Sequence, residues 1–161
     1  MKRPQYESEQ DRHNEAQIAR RIEAAWSVTL HKLPKSYAMD FAATRHGDVV
    51  GWIEVKRRTL RPSYTYIMLS VGKWRDGNAL AATTSIGWVF VVEEAESGTL
   101  WWLDCSDLVE RGVEFDIAWG GRTNDTRDPA DVEPVVHLPR AEFRRLDKFT
   151  RSDLASIGVV G

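Results

Sequence analysis

Residues 51–58 read Gly51-Trp52-Ile53-Glu54-Val55-Lys56-Arg57-Arg58, GWIEVKRR. The apolar and β-branched residues predict a buried β-strand, along which successive side chains point to opposite faces. Trp52, Glu54 and Lys56 therefore share one face, and Ile53 and Val55 share the other. An acid and a base are thus aimed the same way inside an otherwise apolar strand, where burial of either costs several kcal/mol unless it is paired. Such a pair either awaits a partner or is a plain same-face ion pair on an edge strand.

The flanking sequence supplies a second acid. Tyr37–Thr44 and Val49–Arg57 predict two strands around the turn His46-Gly47-Asp48, a hairpin. In the first of them Tyr37, Met39 and Phe41 take one face, leaving Asp40 on the other between the small residues Ala38 and Ala42. Hairpin pairing would bring Asp40 beside Glu54, so that two carboxylates converge on one hard divalent cation. Upstream, the spacing of Ile18, Ile22, Ala25 and Trp26 predicts a helix ending near Trp26. At about 100° per residue Glu15 falls on the apolar face of this helix, whereas Glu23 falls at its margin and is expected in solvent. Asp11 lies at or before the helix start.

The remaining pattern fills in one domain. Residues 1–10 are polar and read as a flexible arm, residues 11–161 as a single domain, and His31–Lys35, with Pro34, as a loop. Tyr64–Leu69 predicts a strand, Ser70 an N-cap, and the following residues a helix to about Thr84. Trp88–Glu93 and Thr99–Asp104 predict strands across a turn at Ser97-Gly98. Ser106–Arg111 reads as a short helix, Val113–Trp119 as a strand, Gly120–Asp131 as a loop, Pro134–Leu138 as a strand and Arg140–Leu146 as a short helix. This order defines an α/β (α+β) protein with a central mixed sheet flanked by helices.

Composition narrows the function. The 161 residues carry 22 basic and 24 acidic side chains, a formal net charge of −2, so attraction to a polyanion requires a local patch. One stretch supplies it: between Val55 and Arg75 lie Lys56, Arg57, Arg58, Arg61, Lys73 and Arg75, with no Asp or Glu. Lys73 would sit in the first turn of the second helix, where free backbone N–H groups favour a phosphate, and Tyr64, Tyr66 and Trp74 could stack on a base. The plainer alternatives are a solvated basic face, a snorkelling lysine and a core tryptophan. One cysteine, Cys105, excludes an internal disulfide, and the four scattered histidines lack zinc spacing. No phosphate-binding glycine loop and no apolar run long enough to cross a bilayer are present, which predicts a cytoplasmic protein without a membrane partner.

Asp40, the Glu54-Val55-Lys56 triplet and an inward Glu15 on a preceding helix together resemble the PD-(D/E)XK nuclease superfamily, from about Asn14 to Asp104 and with closest likeness to its small resolvase-like and phage-type branches. The resemblance implies a restriction-endonuclease-like core and endonucleolytic hydrolysis of DNA, with RNA left open. It implies that Asp40, Glu54 and Glu15 serve a Mg²⁺ site, with Mn²⁺ as a substitute, and that Lys56 positions the attacking water. Arg57, Arg58, Arg61, Lys73 and Arg75 would then contact nucleic acid, and a homodimer would supply two sites for two strands. The alternative is a non-catalytic nuclease fold that binds nucleic acid or a protein, with the tryptophan-rich Thr99–Trp102 strand as its interface.

Overall fold

The structure, a computed structural model, describes residues 9–121 and 132–146. Helix α1 (Glu9–Trp26) is followed by strands β1 (Thr29–Lys32), β2 (Phe41–Arg45), β3 (Asp48–Arg58) and β4 (Tyr66–Ser70). Then come α2 (Val71–Thr84), β5 (Trp88–Glu94), β6 (Leu100–Asp104), α3 (Cys105–Glu110), β7 (Asp116–Gly121), β8 (Val132–Pro139), a 3₁₀ turn (Arg140–Glu142) and β9 (Arg144–Arg145). The expected arm ends sooner than residue 10, since Glu9 and Gln10 are helical; residues 1–8 lie outside the described residues.

The strands form a mixed sheet in the order β1-β2-β3-β5-β6-β9 and a second, three-stranded sheet in the order β4-β8-β7. Within the large sheet only the β3–β5 pair is parallel. The crossover between these two strands contains β4 and α2, so it carries α2 and the small sheet together to one face of the large one. Alternation along β3 then separates two cores. Ile53 and Val55 pack with Ile18, Ile22 and Trp26 of α1. Trp52 faces the other way, among Trp88, Phe90, Ile67 and Val136.

Local chemistry explains the principal turns. His46 and Gly47 both adopt positive φ, 53° and 84°, which lets the β2–β3 hairpin close with a twist that matches its strands. Ser70 caps α2 as expected, its hydroxyl accepting the Lys73 amide at 3.1 Å. Gly77, inside α2, lies against the Trp88 indole so closely that a Cβ would come within 2.5 Å of the ring.

Four expectations are corrected. The segment before Phe41 is not a strand: Tyr37 donates to the Pro34 carbonyl and Leu33 to the Asp40 carbonyl, folding residues 33–40 into a compact loop. Alternation consequently breaks at Asp40, and Met39 and Phe41 enter opposite cores rather than sharing a face. Thr29–Lys32, half of it assigned to a loop, is a short edge strand paired with β2; being almost wholly exposed, it shows no hydrophobic alternation in sequence. Arg140–Leu146 is not a helix, because the 3₁₀ turn ends at Phe143 and Arg144 and Arg145 pair with β6. Trp102 is buried edge-on against Trp26, and Trp101 packs on the opposite cluster, so the tryptophan-rich strand is core and not an exposed interface. Gly120 and Gly121 end β7, while the rest of the expected loop, 122–131, and residues 147–161 lie outside the described residues.

Candidate active site

Glu54 lies in β3 between β2 and β5, opposite Phe90, and is fully buried, the only charged or polar side chain so placed among the described residues. Two ammonium groups offset the cost of that burial. Lys56 Nζ lies 3.2 Å from Glu54 Oε1, and Lys73 Nζ lies 3.2 Å from Oε2. Lys56 arrives by alternation along β3, two residues on. Lys73 comes from the first turn of α2, and its ammonium also donates to the Ala38 carbonyl at 2.9 Å. Burial pushes the Glu54 carboxyl above the ordinary glutamate range; Lys56 draws it back, Asp40 pushes it further up, and Lys73 again opposes the rise.

Asp40 stands where β2 leaves β3. The Phe41–Ile53 pair is the last in register, after which the Asp40 amide donates to the Ile53 carbonyl at 3.1 Å. The ladder ends there, and the next inward amide, that of Val55, donates instead to Asp40 Oδ2 at 2.8 Å. The carboxylate thereby completes the sheet edge and lies near enough to Glu54 for its charge to act on it, placed there by the end of the ladder and not by strand pairing. Glu15 reaches the same region from α1 and pairs with Lys32 of β1. Lys32 lies 3.8 Å from Asp40 Oδ1 and over the ring of Phe41.

A cleft of about 650 Å³ opens over this cluster, lined by Glu15, Asp40, Lys56 and Lys73 and also by Arg57 and Arg58. Arg57 is held by Glu93, at 3.2 Å. Arg61 and Arg75 do not line the cleft; Arg75 is exposed and pairs with its neighbour Asp76. Lys73 is committed to Glu54 and Ala38 rather than directed at solvent from the helix N-terminus. Trp74 is packed against Trp88 and Phe115, Tyr66 is stacked on His137 at 3.8 Å, and Tyr64, 38% exposed, is stacked in turn on Tyr66. Glu23, expected in solvent, accepts the Leu30 amide and anchors β1 to the helix.

The residues present suit a hard divalent cation held by two carboxylates. Glu54 Oε1 is buried and accepts no hydrogen bond, and the Asp40 carboxylate lies close enough to raise the pKa of Glu54. Mg²⁺ commonly takes only one or two protein carboxylates and fills its shell with water and substrate oxygens. No group of three or more His, Cys, Asp or Glu side chains placed to hold a metal occurs among the described residues, and Glu15 instead faces Lys32. Lys32 went unrecognised in the sequence because its place beside Asp40 depends on the β1–β2 register, in which Lys32 stands opposite Phe41.

A buried strand glutamate, a strand-end aspartate and a lysine two residues after the glutamate, on a mixed sheet flanked by helices, define a PD-(D/E)XK nuclease fold. The family described as "Phage putative PDDEXK endonuclease" matches residues 1–146, and the chain belongs to that family. Among solved structures, the chain is similar to Hjc, a Holliday junction resolvase from Archaeoglobus fulgidus, with a TM-score of 0.55 at 12% identity over 86% of this chain and 97% of that one. No curated protein matches the chain significantly. No helix among the described residues is long and apolar enough to cross a membrane.

Proposed function

We propose that this protein is a Mg²⁺-dependent endonuclease that hydrolyses DNA phosphodiester bonds in the cleft over Glu54. The observation that carries this reading is the Glu54 carboxylate: fully buried, one oxygen without a hydrogen bond, Asp40 beside it and Lys56 against it. Lys56 offsets the charge of that oxygen but gives it no hydrogen bond, which leaves it a lone pair to offer a ligand. Asp40 and Glu54 would hold the ion, whose chemistry when bound is to neutralise phosphoryl charge and to make a water more acidic.

The chain's own residues do the rest. Lys56, partly exposed to the cleft, orients the attacking water and stabilises charge developing on the phosphate. Glu15 acts through Lys32, holding that ammonium beside Asp40. Arg57 and Arg58 line the path for the sugar–phosphate backbone. Among substrates, the resolvase likeness favours branched DNA, and a homodimer would present two sites to two strands.

The test is a panel of labelled substrates (single strand, duplex, flap, four-way junction and RNA) incubated with Mg²⁺, with Mn²⁺ or with EDTA. Metal-dependent cutting, strongest on the junction or flap, is expected. Binding without cutting in either metal would replace this reading with that of a non-catalytic nucleic-acid binder.

A further inference from the structure

We propose that Lys73 is a positioning residue for the metal site and not a phosphate ligand; the inference rests on the reading of Asp40 and Glu54 as metal ligands. Its ammonium makes two contacts that no other side chain combines among the described hydrogen bonds. It lies 3.2 Å from Glu54 Oε2 and 2.9 Å from the carbonyl of Ala38, two residues before Asp40. One contact is to the buried carboxylate in the centre of the sheet. The other is to the loop of residues 33–40 that presents Asp40.

This double contact fixes two things at once. With Oε2 held by Lys73, the plane of the buried carboxylate is fixed, so Oε1, which faces Lys56 and accepts no hydrogen bond, keeps its place as the oxygen an ion would take. With Ala38 held to the same ammonium, the loop that ends in Asp40 is tied to Glu54, and the spacing of the two carboxylates is set. Ser70 fixes the base of Lys73 by capping its amide, so the side chain starts from a rigid helix turn. Lys56 does a different job: it faces Glu54 Oε1 and, among the described contacts, makes no bridge to the loop. Groups that orient a metal ligand without touching the metal are typically worth 10–100-fold in metal affinity.

The experiment compares wild type, Lys73→Met, Lys73→Arg and Lys56→Met in two measurements that need no cleavage. One is Mn²⁺ binding by calorimetry. The other is amide hydrogen exchange in the metal-free protein over residues 33–40, where Leu33, Tyr37 and Asp40 are protected by backbone bonds, with α1 as the reference for global unfolding. Lys73→Met is expected to weaken Mn²⁺ binding at least about tenfold and to speed exchange over 33–40 while α1 stays protected. Lys73→Arg, which keeps a charged donor, is expected to fall between the two, and carries both readouts should the methionine variant fail to fold. Lys56→Met should leave exchange in the loop unchanged. Unchanged metal affinity and unchanged exchange in the Lys73 variants, with weakened DNA binding alone, would overturn the proposal and return Lys73 to the phosphate. A wild type that binds Mn²⁺ but cuts nothing would refute the nuclease reading while leaving this inference to stand or fall on the two measurements.

Discussion

The Asp40 carboxylate accepts the backbone N–H of Val55 at 2.8 Å, across the point where β2 parts from β3. The same side chain thus closes a sheet edge and faces the buried Glu54, and substitution can separate these roles. Asparagine keeps an acceptor for the Val55 amide, so Asp40→Asn should melt close to wild type while losing metal binding and cleavage. Asp40→Ala strands that amide and should in addition cost about 1 kcal/mol, the usual worth of one such bond. Chemical denaturation of the two variants beside wild type checks both outcomes.

Glu54 contributes to the pH dependence of the metal-free protein, as does Asp104, whose carboxyl burial also raises. The Glu54 carboxyl is raised above the ordinary glutamate range, so the folded state holds this proton to higher pH than the unfolded chain does. Below both values Glu54 costs nothing through ionisation. The stability lost to its ionisation appears as pH rises through the window between the ordinary value and the raised one, and persists above it. Metal must displace the same proton, so affinity should tighten as pH rises across that window. Melting temperature against pH for wild type and Glu54→Gln, and Mn²⁺ affinity against pH for wild type, test this; the variant should lose the Glu54 part of the melting profile and keep the part that Asp104 contributes.

Gly77 allows α2 to lie on Trp88. Alanine is better than glycine inside a helix by about 1 kcal/mol, but a Cβ here would meet three atoms of the indole ring between 2.5 and 2.8 Å. Overpacking should win by a net destabilisation of about 2 kcal/mol. Because Trp88 Nε1 also donates to Asn78 of the same helix, near-ultraviolet circular dichroism should change with the melt. A Gly77→Ala variant as stable as wild type would contradict the packing.

Cys105 is packed in the core. Its thiol is fully buried, and burial together with the Asp104 charge pushes its pKa well above the ordinary thiol value, so it is held protonated. The native protein should therefore react with a thiol reagent only at the rate of unfolding, and Cys105→Ser should leave cleavage intact. Rapid labelling of the folded protein would show the site to be open.

The parts of this molecule legible in sequence are those whose signal is local. Alternation in GWIEVKRR placed Glu54 and Lys56 on one face, the His46-Gly47 turn fixed the hairpin, and Ser70 marked the start of α2. The parts that were not legible depend on contacts between distant segments. Lys32 joins Glu15 and Asp40 only because an exposed edge strand pairs with β2, and Lys73 turns inward only because α2 is docked over Glu54. The departure of β2 at Asp40 was hidden for a related reason. Tyr37, Met39 and Phe41 alternate as a strand would, but the Leu33–Asp40 and Tyr37–Pro34 hydrogen bonds take the backbone elsewhere.

The most direct test is single-turnover cleavage of the preferred substrate in Mg²⁺, comparing wild type with Lys56→Ala and Glu54→Gln at protein concentrations that saturate binding. Wild type should cut only with metal, Lys56→Ala should be slower by at least about a hundredfold with DNA affinity retained, and Glu54→Gln should be inactive. Cleavage that survives EDTA, or that is undiminished in both variants, would contradict the assignment of this cleft as a metal-dependent nuclease site.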